Sequence, residues 1–288
     1  MMAHMTSVRL LGAADIRRLA AELDVTPTKK LGQNFVVDAN TVRKIVNAAR
    51  VTQNDRVVEI GPGLGSLTLA VLAAGASVTA VEIDHRLAAR LAQTAAEHGV
   101  PGGALTVVEH DAMTVTDLPG EPDVLVANLP YNISVPVLLH FMETFPGIAR
   151  GVVMVQAEVG ERLAAAPGSK IYGAPSAKAA WYGTWRLAGT VSRQVFWPVP
   201  NVDSILVGFD RAETPMGTDE DRRETFRIID LAFQQRRKML RQALSRELGG
   251  SAAASALLEA ADVAPTARGE SLDTAAFLRI ARAVRAAR

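Results

Sequence analysis

Asn128-Leu129-Pro130-Tyr131 sets an amide side chain, a main-chain carbonyl, a stiffening proline and a flat ring in a row. The Asn128 side-chain oxygen and the carbonyl of Leu129 or Pro130 can accept the two N–H groups of an exocyclic amine on a base such as adenine. Such an amine is a poor nucleophile, because its lone pair is delocalised into the ring. Holding both protons favours a more pyramidal nitrogen and aims the lone pair at an electrophile. Pro130 restricts the backbone that presents the carbonyl, and Tyr131 offers a face for stacking. No strong base is required: an alkylated amine becomes very acidic and its proton can leave to water, so positioning and electrostatics carry the acceleration. The structural alternative is a proline turn with Asn as cap and Tyr as core. A second aromatic opens Phe196-Trp-Pro-Val-Pro200, followed by Asn201-Val-Asp-Ser204. Phe196 could cover the other face of a flipped base, or fill the core beneath a proline-stiffened loop.

A second constellation lies upstream. Val57 to Gly65 reads V-V-E-I-G-P-G-L-G, a strand feeding a glycine loop that opens a helix. Glycines permit a tight turn and close backbone approach to a ligand. Glu82 ends the next strand, where it can accept from ribose hydroxyls, and Asp111-Ala112 follows the third strand, where a carboxylate can meet an adenine amine. Three readings suit the loop: a plain tight turn, a dinucleotide site, or a site for an adenosyl sulfonium. The spacing Gly61-x-Gly63-x-Gly65 departs from the G-x-G-x-x-G dinucleotide pattern. A sulfonium cofactor has no pyrophosphate and does not need that third glycine, which favours the last reading.

These motifs need strand ends to hold them. The chain alternates strand and helix: strands at Arg56 to Ile60, Val78 to Ile83, Leu105 to Val108, Val124 to Ala127 and Val152 to Gln156, with helices at Leu64 to Ala74, Arg86 to Glu97, Val135 to Thr144 and Glu158 to Ala165. Trp185 to Phe196 and Ser204 to Phe209 are too close for a crossover helix and are expected as an antiparallel pair at the sheet edge. The fold class is α/β with a mostly parallel sheet. Upstream, Asp15 to Asp24 has helical spacing, Thr26 to Gly32 is a basic loop with Lys29 and Lys30, and Asp38 is an N-cap for a helix to about Arg50. After Asp210 every segment has helical spacing: about Asp221 to Phe233, Arg236 to Leu248, Ala252 to Ala261 and Thr274 to Ala287. The expected division is residues 1–211 and a small helical domain, residues 212–288.

Composition narrows the chemistry. The 288 residues are 49% hydrophobic and 21% charged, ordinary for a globular chain. With no cysteine, thiolate nucleophiles and Cys-based metal sites are excluded. The five histidines lack ligand spacing, so no metal is expected. No apolar run approaches the roughly 18 residues that cross a bilayer, and no secretory signal is expected. Met1 to Met5 is set aside from the fold reading. The expected setting is cytoplasmic, without a membrane partner. Net charge is only +1, so nucleic-acid binding must rest on local clusters. One such cluster is Arg236, Arg237, Lys238 and Arg241, which suits RNA phosphates or forms a solvated helix face.

Together these residues resemble the ribosomal RNA adenine N6,N6-dimethyltransferases, most nearly those of the small subunit. The resemblance runs from about Leu31 to Leu278, through Gly32-Gln-Asn-Phe35, Val58 to Gly65, Glu82, Asp111-Ala112, Asn128 to Ser134, Phe196 to Ser204 and Gln235 to Arg241. It implies a Rossmann-like domain binding S-adenosylmethionine, with a helical rRNA-binding domain after it. It implies that Asn34 and Val36 close over the methionine part, and that Gly61 and Gly63 lie against the cofactor. Glu82 would hold the ribose, Asp111 and Ala112 the adenine, and Asn128 both cofactor and target amine. It also implies two adjacent adenines near the 3′ end of 16S rRNA as targets, each methylated twice, on a nearly assembled small subunit, by a monomer. Val36 stands for the usual Leu, Trp197 precedes Pro198 and Met239 stands for a usual Thr. Ser169-Lys-Ile-Tyr-Gly173 also matches a loop of the family near the target pocket.

Two alternatives stand beside this reading. A large-subunit rRNA methylase of the antibiotic-resistance type shares the core; the run Gln235 to Arg241 and the Asn-Leu-Pro-Tyr form argue against it. A non-catalytic RNA-binding assembly or transcription factor would be expected to lose Glu82, Asn128 or Tyr131, and all three are present.

Overall fold

The central β-strands are apolar enough to be buried on both faces, and that dictates the architecture. In a computed structural model describing residues 8–25 and 34–288, the chain begins with α1 (Ala13–Glu22), β1 (Phe35–Val36) and α2 (Ala39–Ala48). Strand and helix then alternate: β2 (Arg56–Ile60), α3 (Ser66–Ala73), β3 (Ser77–Glu82), α4 (His85–Glu97), β4 (Leu105–Glu109), β5 (Val124–Asn128), α5 (Ser134–Thr144), β6 (Arg150–Gln156) and α6 (Ala157–Leu163). Next come α7 (Ala174–Ala180), β7 (Gly183–Val191), β8 (Phe196–Trp197) and β9 (Ser204–Arg211), then α8 (Asp219–Gln234), α9 (Leu240–Ala243), α10 (Ser251–Ala260) and α11 (Thr274–Ala286). The basic loop Thr26 to Gly32, with Lys29 and Lys30, lies outside the described residues, as does Gln33.

Among the described residues the strands form a seven-stranded sheet in the order β4-β3-β2-β5-β6-β9-β7. Strands β2 to β6 pair in parallel and β9 runs antiparallel to β6. Val57, Val58, Ile60 and Val124 to Ala127 are all buried, as expected for parallel strands covered on both faces. Helix α3 is buried over Ser66 to Leu72, whereas α2 buries one face through Val42, Ile45 and Val46. Asp38 caps α2 as expected, accepting from the Thr41 N–H at 2.7 Å.

Three expectations are corrected. Trp185 to Phe196 is not one strand. β7 stops at Val191, Ser192 caps a 3₁₀ turn at Arg193–Val195, and Phe196–Trp197 leaves the main sheet to pair with Phe35–Val36. Arg236 to Leu248 is not one helix. α8 ends at Gln234, residues 235–238 turn, and α9 is only Leu240–Ala243, its start tied by the Leu240 N–H donating to the Ala267 carbonyl.

The third correction concerns the single cut after Arg211. The first compact unit holds the described residues of Met1–Gly160 with Arg186–Asp210, and the second holds Glu161–Trp185 with Arg211–Arg288. Residues 161–185 join the helices because Tyr172 and Ala177 are buried in the same core as Ile228, Ile229, Leu240 and Phe277. Two hydrogen bonds add to this: the Tyr172 hydroxyl donates to the Leu272 carbonyl at 2.9 Å, and Thr274 Oγ1 to the Ala177 carbonyl at 2.8 Å. No helix among the described residues is long and apolar enough to cross a membrane.

Sheet closure leaves no room at Gly151 in β6. A Cβ there would run into the Leu125 carbonyl oxygen and lie 2.7 Å from the Phe209 ring. Gly151→Ala is expected to cost about 2 kcal/mol or more, read as a fall in the urea midpoint. Gly102→Ala, where a Cβ meets nothing within 4 Å, should be near neutral.

Candidate active site

Winding direction reverses at β2. The chain runs outward through β3 and β4, then returns to place β5 on the other side of β2. Such a switch point opens a crevice beyond the carboxyl ends of the strands. The β2–β5 register pairs Ile60 with Ala127, so Gly61 and Asn128 leave the sheet side by side. The two constellations, far apart in sequence, therefore share one crevice.

A cavity of about 330 Å³ fills it. Its walls include every residue expected at the cofactor: Asn34, Val36, Gly61, Gly63, Glu82, Asp111, Ala112 and Asn128. Backbone conformation explains the glycines. Gly61 has φ +65°, and a Cβ there would meet nothing within 4 Å. Gly63 has φ +57°, and a Cβ there would press on the Phe35 ring at 2.9 Å. Phe35 thus lies directly on the glycine loop. Segment 34–36 is held at three further points: Ser66 Oγ donates to the Val36 carbonyl at 2.7 Å, β1 pairs with β8, and Asn128 Nδ2 donates to the Asn34 carbonyl at 2.9 Å.

That last contact orients the catalytic candidate. A carbonyl can only accept, so the NH₂ half of the Asn128 amide faces Asn34 and Oδ1 is turned the other way, available as an acceptor. Pro130 also lines the cavity, and its carbonyl accepts from the Ile133 N–H at 3.3 Å. Leu129 is 1% exposed; its N–H donates to the Met154 carbonyl at 3.1 Å, which continues the β5–β6 ladder one residue past the strand. Tyr131 is half-buried and its hydroxyl shares a 2.8 Å hydrogen bond with Ser204 Oγ. Phe196 is placed differently from the expectation of a second stacking face. It is 2% exposed and packs in the core with Val36, Val191 and Leu206, because its backbone pairs with Val36 and turns the ring inward.

Two of the expected cofactor residues bring carboxylates to the cavity wall, Glu82 buried and Asp111 half-buried. Glu82 accepts from the Gly63 N–H and the Asp84 N–H, both at 3.0 Å, yet burial pushes its carboxyl up. Asp111 Oδ1 accepts from the Met113 N–H at 2.8 Å, forming a local turn. The basic cluster lies in the second unit. Arg236 pairs with Glu270 at 3.0 Å and donates to the Lys170 carbonyl, whereas Arg237 and Lys238 are exposed and Arg241 is half-buried in α9.

Residues 26–285 match the model of the ribosomal RNA adenine dimethylase family. The chain belongs to that family. A Leifsonia xyli subsp. xyli protein named "Ribosomal RNA small subunit methyltransferase A" is 64% identical, over 96% of this chain and 99% of its own. A Streptomyces coelicolor protein of the same name is 57% identical, over 97% and 99%. The fold is similar to that of a dimethyladenosine transferase from Plasmodium falciparum (TM-score 0.73, 26% identity, 84% of this chain and 94% of that one). It is also similar to the 23S rRNA methyltransferase ErmE (TM-score 0.64, 25% identity, 88% and 100%).

Two further residues at this cavity, Ile83 and Glu59, had no role in the sequence reading. Ile83 lines the cavity yet is 58% exposed, an apolar wall facing the crevice. Glu59 also lines it and is 1% exposed, accepting from Thr68 Oγ1 at 2.6 Å. An acid inside the otherwise apolar strand Val57-Val-Glu-Ile60 was the available signal. Burial pushes the Glu59 carboxyl up to about 8, against the pull of Thr68 and helped by the nearby Glu82 charge.

Unfolded, Glu59 titrates near its ordinary 4.5; folded, it holds its proton to about 8. Its contribution is therefore fully present below pH 4.5 and is lost as pH rises through the folded value. Glu59→Gln keeps an acceptor for Thr68 without that titration. Its melting temperature should match the parent at pH 4.5 and exceed it by roughly 5 °C at pH 8. Parallel melting profiles across this range would contradict a buried, proton-retaining Glu59.

Proposed function

We propose that this chain transfers methyl groups from S-adenosylmethionine to N6 of two adjacent adenines near the 3′ end of small-subunit rRNA. The product is N6,N6-dimethyladenosine, formed late in small-subunit assembly, by a cytoplasmic monomer without a metal. The observation that carries this reading is the Asn128 amide: its NH₂ is pinned to Asn34, and its oxygen is free at the mouth of a glycine-loop cavity. Full-length relatives named as small-subunit rRNA methyltransferases support the substrate assignment, at 56–64% identity against 25% for the large-subunit enzyme.

The cavity suits the cofactor on its own chemistry. Gly61 borders open space, so a ligand can approach the main chain, and the buried Glu82 offers acceptor oxygens to ribose hydroxyls. Gly61, Gly63, Asn34 and Val36 would line the methionine side. Glu82 would take the ribose, and Asp111, Ala112 and Ile83 the adenine. S-adenosylmethionine supplies an electrophilic methyl group on a sulfonium. Asn128 Oδ1 accepts one N6–H of the target base. The carbonyl of Leu129 or Pro130 takes the other; that of Pro130 also accepts from the Ile133 N–H and keeps a second lone pair. The lone pair then points at the methyl carbon; as the C–N bond forms the C–S bond breaks, S-adenosylhomocysteine leaves as a neutral thioether, and the amine's proton leaves to water. Tyr131 stacks on the base. Arg236, Arg237, Lys238 and Arg241 would contact rRNA, with Arg237 and Lys238 free to meet phosphates directly and Arg236 engaged with Glu270.

With labelled S-adenosylmethionine and unmethylated small subunits, the protein should yield N6,N6-dimethyladenosine. Asn128→Ala should lower kcat about 10²- to 10³-fold, the cost of removing a pre-set polar contact to the reacting group. Product at the parent rate would sink the mechanism. In a separate calorimetric titration, Glu82→Ala should weaken S-adenosylmethionine binding at least about tenfold. Unchanged affinity would remove Glu82 from the cofactor site.

A further inference from the structure

Tyr131 follows the strand end and lies in a turn, where nothing in its backbone dictates where the ring points. Its hydroxyl, at the far end of the side chain, meets Ser204 Oγ at 2.8 Å. Ser204 is 1% exposed and opens β9, a strand that is otherwise apolar from Ile205 to Val207. A buried hydroxyl without a partner costs stability, so a serine at this position calls for one, and Tyr131 supplies it. We propose that Ser204 is a positioning residue for the methyl-transfer reaction: through the Tyr131 hydroxyl it holds the ring at the angle that receives the target base.

The frame behind this contact is rigid. Ser204 pairs with Gln156 of β6, and β6 also pairs with β5, where Met154 is opposite Asn128. Both halves of the base grip are thus referred to the same strand: Asn128 directly through β5, and Tyr131 through Ser204 on β9. Residue 203 is anchored too, since its carbonyl accepts from the Ala157 N–H at 3.0 Å. Tyr131 remains a phenol rather than a phenolate at working pH, because burial pushes its hydroxyl up, and either hydroxyl can then donate to the other. The two residues are 73 positions apart, so their pairing has no local sequence signature. The proposal rests on Tyr131 as the stacking surface.

The test is a double-mutant cycle on the full-length protein with unmethylated small subunits. Ser204→Ala should lower kcat about 3- to 10-fold, the worth of one hydrogen bond, with S-adenosylmethionine affinity unchanged and the melting temperature lowered by only about 2–4 °C. Tyr131→Phe should cause a similar loss from the other side of the contact, and it keeps the proposal testable if Ser204→Ala folds poorly. In the Tyr131→Phe background, Ser204→Ala should add nothing. Losses that multiply, or a Tyr131→Phe protein with parental kcat, would overturn the positioning role. Tyr131→Ala separates the underlying reading. If it too retains parental kcat, Tyr131 is not the stacking surface. If it loses far more than Tyr131→Phe, the stacking role stands whatever becomes of Ser204.

Discussion

The adjacency of β2 and β5 is the constraint on which the rest depends. Parallel pairing of Ile60 with Ala127 forces the loops after the two strands to emerge together. One loop carries the glycines, and the other follows directly from Asn128, the last residue of β5. Because winding reverses there, no crossover helix covers the gap, and a crevice is left at the strand ends. Every residue proposed for the cofactor, together with Asn128 and Pro130, reaches that crevice from a strand terminus or from the short segment 34–36.

Segment 34–36 couples the two halves of the site. Phe35 rests on Gly63, Val36 is held by Ser66, and Asn34 receives the Asn128 amide. The residues nearest the proposed cofactor therefore also set the orientation of the group proposed to grip the base. A shift in this segment would disturb both functions together. Electrostatics add a second bias. Glu59 and Glu82 are buried at 1% and 6% exposure, and desolvation raises both carboxyls. Glu59 therefore stays neutral at working pH, and any negative charge at this wall is carried by Glu82, whose oxygens two backbone N–H groups hold.

The second unit supplies its own lesson in how charge is divided. Of four clustered basic residues, Arg236 is engaged by Glu270 and the Lys170 carbonyl, while Arg237 and Lys238 remain exposed. A run of positive charge in a sequence does not separate side chains that brace a turn from those that meet solvent. The pairing partner decides, and Glu270 is 34 residues away.

Contiguous chemistry was legible from the chain alone. Asn128 to Tyr131, the glycine loop and Glu82 each lie at the end of a strand whose apolar run is unmistakable, so both the α/β class and the shared face of these motifs followed from local pattern. The sequence could not say which way a side chain turns after its strand ends. Phe196 had equal claims as a stacking face and as core; pairing of its backbone with Val36 turned it inward. Residues 161–185 carried no boundary signal, and their place among the helices rests on Tyr172 and Ala177 finding a core formed 50 to 100 residues later. Glu59 looked like one acid in a strand, and only burial made it a proton-retaining group. Local composition and periodicity determined the elements and the chemistry at their ends, because those depend on neighbours along the chain. Orientation, protonation and partner choice were decided by tertiary structure, because each depends on atoms brought close only when distant strands pair.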